Sequence, residues 1–217
     1  MKKLILLASG LVITTLVVGC GKTETPSAET QSTQQATVLP SYSGTMCANA
    51  IKDYLAKADT KGKAGKKVEK GHQIVVHYIG RLDEETVFDT SIEEIAKACG
   101  KYNAQRNYNE GLAFQVGAGQ MIAGFDKAVE GMSIGQTKTV HIEASDAYGE
   151  RSDKNLVKVP REQIPDADKL EKGMKVYAST GQPFTVYAVD SKEITLDANP
   201  ELAGKKLIFD ITVTDIK

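Results

Sequence analysis

The chain has no tryptophan, only three histidines and three cysteines in 217 residues, and charges that nearly cancel: 27 Lys and Arg against 28 Asp and Glu. Each shortage removes a class of function. No basic patch with interleaved aromatics occurs, which argues against nucleic acid as a partner. His72, His77 and His141 lie in or beside strand-like runs with no second ligand at metal spacing, so no metal is expected. Gly117-Ala118-Gly119 precedes a helix but lacks the rest of a dinucleotide fingerprint, and no phosphate-cradling loop is present. No cofactor is expected. The one long apolar run, Leu4 to Val18, is broken by Ser9, Gly10, Thr14 and Thr15 and is too short to cross a bilayer comfortably.

Lys2 and Lys3 ahead of that run give it the look of a secretory signal. Val17-Val18-Gly19-Cys20 resembles a bacterial-type lipobox, with residues 1–19 as signal peptide and Cys20 as the lipidated first residue. Cleavage elsewhere, or an uncleaved anchor, are the alternatives. Residues 20–45 are rich in Thr, Ser and Gln and form a flexible tether, because they hold too little apolar surface to order themselves. An extracytoplasmic protein, lipid-anchored to a prokaryotic membrane, is the expectation. Residues 46–65 read as a helix followed by a lysine-rich linker. Lys57, Lys61, Lys63, Lys66, Lys67 and Lys70 are either a solvated face or a weak contact for anionic headgroups.

With Cys20 assigned to lipid, two thiols remain. Cys47 lies on the helical stripe Cys47, Ala50, Ile51, Tyr54, Leu55, Ala58, and Cys99 on the stripe Ile92, Ile95, Ala96, Cys99. Ser91 and Glu94 predict a capping box for the second helix, and Gly100 its stop. An oxidising compartment favours a Cys47–Cys99 disulfide, while two separately buried thiols fit the same spacing.

Strand signals dominate the rest. Ile74 to Ile79 is a β-branched run and Thr139 to Ile142 alternates. Phe209, Ile211 and Val213 alternate with Asp210, Thr212 and Thr214, which predicts a half-buried antiparallel strand. One short helix near residues 122–130 shows Ile122, Phe125 and Val129 on a single face. The fold class is therefore α+β.

Four separated segments carry a resemblance over about residues 66–217. They are Val75-Val76-His77-Tyr78-Ile79-Gly80, Val87-Phe88-Asp89-Thr90-Ser91, Gly117 to Met132 followed by Asp146-Ala147-Tyr148-Gly149, and Leu207-Ile208-Phe209-Asp210. In this order they resemble FKBP-type peptidyl-prolyl isomerases. The resemblance implies a bent antiparallel sheet wrapped around one short helix, formed by residues 66–151 and 197–217. Long-form prokaryotic members carry a helical insertion where Asp89 and Phe114 are separated here. Residues 152–196 resemble the insert-in-flap domain of SlyD-like isomerases, a chaperone-like peptide grip. A structural β lobe without a partner is the alternative for that block.

The same resemblance implies a site and a chemistry. Phe125 is the pocket floor, smaller than the tryptophan of many relatives. Tyr78, Phe88 and Phe209 are aromatic walls, and Met121 and Ile122 line one side, with the Ile122 amide holding a substrate carbonyl. Tyr148 donates its hydroxyl, Asp89 orients the pocket, Ala147 keeps the floor open, and Leu112 stands where some relatives have an aromatic. Leu156, Val159, Met174, Tyr177, Phe184 and Tyr187 of the insert are expected to contact substrate. The expected activity is prolyl isomerisation on proline-containing unfolded or exported polypeptides, by a monomer. A holdase with little catalysis and an inactive structural lipoprotein are the rival readings.

Overall fold

The computed structural model describes residues 44–217. The expected signal segment, Cys20 and most of the tether lie outside the described residues; its last two positions, Gly44 and Thr45, already belong to the first helix. Within the described residues no helix is long and apolar enough to cross a membrane. The chain divides into two compact units, one running to Asp153 and resuming at Asn199, the other spanning Lys154–Ala198.

The larger unit is built on β1 (Gln73–Arg81). One edge of β1 pairs along its length with β9 (Leu207–Ile216), and β9 pairs with β4 (Thr137–Ile142), all antiparallel. The other edge is shared: β3 (Leu112–Gln115) takes Gln73 to Val76, and β2 (Val87–Thr90) takes Ile79 to Arg81. Between these two partners the Tyr78 backbone would lack a strand. The Ser91 hydroxyl accepts its N–H at 2.8 Å, and the Tyr78 carbonyl accepts the Thr90 hydroxyl at 2.7 Å together with the Ser91 N–H at 3.1 Å. Side chains thus complete the ladder where buried backbone groups must be paired.

This use of Ser91 corrects one expectation. Helix α2 (Glu93–Ala98) follows α1 (Gly44–Ala56) in the chain, begins after Ile92, and has no side-chain cap. The predicted capping box is absent because the Ser91 hydroxyl is already engaged by the sheet. The stop at Gly100 forms: its φ is 66°, and the next amide, of Lys101, bonds back to Ala96 at 2.7 Å.

Helix α3 (Ala123–Val129) covers one face of the sheet. Phe125 and Val129 are buried there among Ile74, Val76, Phe114, Leu207, Ile211 and Val213. A Cβ on Gly124 would meet Ile142 at 2.3 Å, so glycine sets how near α3 lies to β4. The opposite face is covered too, by Cys47 and Ile51 of α1 and Ile95 of α2, which pack on Ile79 and Val87. Cys47 and Cys99 are joined by a disulfide that closes a separation of 52 residues.

That cover changes the character of β9. A half-buried strand would leave Asp210 wet, yet Asp210 is 1% exposed. It accepts from Arg81 Nε at 2.8 Å and from the Thr139 hydroxyl at 2.6 Å. A buried carboxylate held in this way is satisfied, as burial of charge demands. Thr212 bonds likewise to Thr137 at 2.8 Å and to the Tyr54 hydroxyl at 3.1 Å.

The lysine-rich stretch after α1 is a strap pinned by its backbone. Lys63 N–H donates to Ile134 at 2.8 Å, Val68 N–H to Met132 at 2.8 Å, and Thr137 N–H to Asp59 at 2.6 Å. The six lysine side chains themselves are exposed.

The smaller unit is a four-stranded antiparallel sheet in the order β5-β8-β7-β6, with β5 Leu156–Pro160, β6 Lys175–Tyr177, β7 Pro183–Val189 and β8 Glu193–Asp197. Its core is small: Val159, Val176, Val186, Ile194 and Leu196 from the strands, with Ile164 and Ala167 from the connection. In the larger unit, Ser152 and Asn199 exchange hydrogen bonds, both at 3.0 Å.

Candidate active site

Local sequence builds the site in three steps. The turn after β3 contains Gly117 and Gly119 with φ of 77° and 70°, a conformation that glycine adopts without strain. The Asp126 carboxylate accepts the Gly117 N–H at 2.8 Å and ties that turn to α3. Ile122 then stands at the N-cap with no side chain capping the helix, and among the described residues no hydrogen bond engages its amide. Met121 and Ile122 are half-buried against the core.

The aromatic residues come from four elements. Phe125 meets Phe209 with ring centroids 5.1 Å apart and planes at 80°, and Tyr78 at 6.1 Å and 86°. Phe88 meets Phe209 at 5.5 Å and 82°. These are edge-to-face contacts, the arrangement that the ring quadrupoles favour. Gly80 makes room: a Cβ there would lie 2.7 Å from Phe88 and 3.0 Å from Phe209. Leu112 and Ala147 pack on the same cluster. Phe114 adds a ring 5.8 Å from Phe125, a position that sequence reading passed over.

A polar group flanks the rings. The Tyr78 hydroxyl donates to the Asp89 carboxylate. Arg106 completes a triangle, with one nitrogen 2.5 Å from Asp89 and the other 2.8 Å from the Tyr78 oxygen. Asp89 also accepts the Thr90 N–H at 2.9 Å, so it caps no helix. Burial and the bond to Asp89 push the Tyr78 hydroxyl up to about 12, with Arg106 working in the opposite direction. Burial opposes the Arg106 charge, but the bonds to Tyr78 and Asp89 outweigh it and hold the guanidinium above its ordinary value. Arg106 is the residue that sequence reading missed. The signal was an arginine flanked by Tyr102 and Tyr108 in an otherwise polar loop.

Tyr148 follows a 3-10 turn (Ala144–Asp146) closed by Gly149, whose N–H donates to Ala144 at 2.8 Å. Tyr148 is 45% exposed, and no hydrogen bond to its hydroxyl occurs among the described residues. It is therefore no core tyrosine.

The six insert positions expected to contact substrate do not share one surface. Val159 is 6% exposed and forms part of the small core, and Phe184 packs against that core. Strand alternation places them on the core face, so Val159 is corrected to a packing residue. Leu156 pairs with Asp197, and Tyr177 with Pro183, on the opposite side of the pleat. Met174, Tyr177 and Tyr187 are 40%, 44% and 42% exposed, as is Val157 at 44%.

No group of three His, Cys, Asp or Glu side chains converges as a metal site among the described residues. The aromatic cluster offers rings, a backbone amide, an exposed phenol and a half-exposed carboxylate joined to a phenol and a guanidinium. Its residues suit binding and reshaping an apolar group.

Comparisons with known proteins show the family. Residues 64–214 match the family described as FKBP-type peptidyl-prolyl cis-trans isomerase. The chain is 42% identical over 151 residues to the short-type peptidyl-prolyl cis-trans isomerase of Methanocaldococcus jannaschii, covering 69% of this chain and 94% of that protein. It is 27% identical over 157 residues to a probable FKBP-type 16 kDa isomerase of Pseudomonas fluorescens, covering 71% and 95%. It is 34% identical over 109 residues to the FKBP-type isomerase SlyD of Escherichia coli K12, covering 49% and 56%. The chain belongs to the FKBP-type peptidyl-prolyl cis-trans isomerase family, whose members act on proline-containing polypeptides.

Proposed function

We propose that the pocket catalyses X-Pro rotation by favouring the twisted amide over the planar one. The uncatalysed barrier is about 18–20 kcal/mol, and the reaction takes tens to hundreds of seconds. At the top of that barrier the amide has lost resonance, and its carbonyl is less polar. A dry aromatic cup suits that state better than the planar amide, which water solvates well. Lowering the barrier by about 4 kcal/mol accelerates the step roughly a thousandfold. Phe125 is the floor, with Phe88, Phe209 and the Tyr78 ring as walls and Met121, Ile122, Leu112 and Ala147 completing the rim. The Ile122 amide and Tyr148 hydroxyl receive substrate carbonyls, and Asp89 faces the rotating imide. The observation that carries this reading is the ring cluster with the Tyr78–Asp89–Arg106 triangle at its wall.

Residues 154–198 are read as an insert-in-flap domain that captures unfolded chain. What supports this is the exposure of Val157, Met174, Tyr177 and Tyr187 on a small sheet whose outer strands are β5 and β6. The same observation favours the second reading, a holdase in which catalysis is incidental.

The protein is further read as a monomer, lipid-anchored through Cys20 on the extracytoplasmic side, where it assists the folding of exported proteins. The Lys2-Lys3 and Leu4 to Val18 pattern supports this, as does the Cys47–Cys99 bond, because disulfides persist in oxidising compartments. Mass spectrometry of the mature N-terminus tests the anchor; an intact Met1 would refute it.

The test of activity is a cis-to-trans assay on a short proline peptide with the soluble form from about residue 40 onward. Saturable acceleration supports the reading. Peptide kinetics unchanged by the purified protein would overturn it.

A further inference from the structure

Arg106 reaches the pocket from residues 99–111, which contain no helix or strand. A long, entropically costly side chain on an irregular loop needs an external brace to hold bidentate geometry. The loop supplies one. The Tyr102 and Tyr108 rings are stacked at 5.6 Å with planes only 12° apart. The Arg106 guanidinium carbon lies 5.7 Å from the Tyr108 ring centroid and 5.8 Å from that of Tyr78, so two rings flank it. Lys97 caps the outer end, with its nitrogen 5.0 Å from the Tyr102 ring.

Hydrogen bonds fold the loop around this column. The Asn103 N–H donates to the Tyr108 hydroxyl at 2.9 Å, and the Arg106 N–H donates to the Asn103 carbonyl at 3.0 Å. Tyr108 is 8% exposed, whereas Tyr102 is 46% exposed. The column therefore runs from a surface lysine, through two tyrosines, to a guanidinium that touches both Asp89 and Tyr78.

We infer that Tyr108, backed by Tyr102, is a positioning residue for the isomerase pocket, holding Arg106 in the orientation that fixes Asp89 and Tyr78. This rests on the pocket assignment proposed above. Tyr108 touches no reacting atom in this account. Its contribution passes through Arg106, and that dependence can be measured.

The experiment is a double-mutant cycle in kcat/KM on a proline peptide, with folding of each variant followed by circular dichroism. Arg106→Ala should slow turnover about tenfold, the loss of one charge-assisted anchor. Tyr108→Leu should give a similar loss alone and almost none in the Arg106→Ala background. Tyr108→Phe keeps the ring but loses the bond from the Asn103 N–H, and its rate should fall between those of wild type and Tyr108→Leu. Should Tyr108→Leu fail to fold, the more exposed Tyr102→Leu carries the same cycle with a smaller loss of about threefold. A tyrosine loss that persists unchanged in the Arg106→Ala background, or no loss beside a slow Arg106→Ala, overturns the positioning role alone. An Arg106→Ala enzyme as fast as wild type would remove both this role and Asp89–Arg106 from the pocket reading.

Discussion

The two compact units solve the same problem, a sheet that must bury one face, in different ways. The larger unit buries both. Helix α3 covers one face, and α1 and α2 cover the other, stapled by Cys47–Cys99. Its charged side chains on the covered face are satisfied in pairs, as at Arg81–Asp210. The smaller unit buries one face with seven core residues and leaves Val157, Met174, Tyr177 and Tyr187 at least 40% exposed. Held geometry suits a pocket that must discriminate a rotated amide from a flat one. The exposed apolar residues of the smaller unit are what the proposed contact with unfolded chain rests on.

The comparison can be broken first at the staple. Cys47→Ser with Cys99→Ser removes a loop closure of 52 residues, which the chain-entropy argument values at about 4 kcal/mol. Urea unfolding should show that loss in the larger unit, while amide-exchange protection in residues 154–198 stays as it was. Equal loss in both units would mean they do not differ as described.

A second strike falls on the pocket's polar wall. Asp89→Ala leaves Tyr78 and Arg106 without their carboxylate, and kcat/KM should fall roughly tenfold to thirtyfold with the fold retained. Tyr148→Phe removes one neutral hydrogen bond donor and should cost about fivefold. An unchanged rate in either variant would strike that residue from the site.

Alkaline titration gives an effect on stability rather than on rate. Because the Tyr78 hydroxyl is pushed up to about 12 from 10.0, the unfolded chain releases that proton first. The stabilisation is therefore complete below pH 10 and lost as pH rises toward 12. Tyr78→Phe should lack this part of the alkaline slope. A slope of the same size in both proteins would contradict the burial of that phenol.

The smallest effect belongs to the exposed strands. Tyr177→Ser should change stability by less than about 0.5 kcal/mol, because it removes only surface contact. It should still reduce assistance in refolding of a proline-limited protein. If refolding assistance were untouched by Tyr177→Ser combined with Val157→Ser, the capture role proposed for these exposed residues, which lie on both sides of the pleat, would fall.

Much of the larger unit could be read in the chain, because its signals are local. The β-branched run of β1, the alternation of β9 and the glycine turn before α3 each show in consecutive residues. What escaped was set by distance. Ser91 looked like a helix cap because its neighbour at +3 is Glu94, yet the sheet claims its hydroxyl for Tyr78, thirteen residues away. Asp210 looked wet because alternation describes one strand and says nothing of a helix laid over it. Arg106 lies 17 positions from Asp89, in a loop with no periodicity to mark it. In the insert, alternation was visible, but which face would be core was not, so Val159 was grouped with exposed neighbours.

The most direct test is to replace residues 154–198 by a short loop between Asp153 and Asn199 and to assay both peptide turnover and protein refolding. Turnover of a short proline peptide should stay within about twofold of the intact protein, while refolding of a proline-limited protein slows markedly. If peptide turnover disappears while the larger unit remains folded with Cys47 and Cys99 bonded, catalysis does not reside in the pocket built from Phe125, Phe209 and Tyr78.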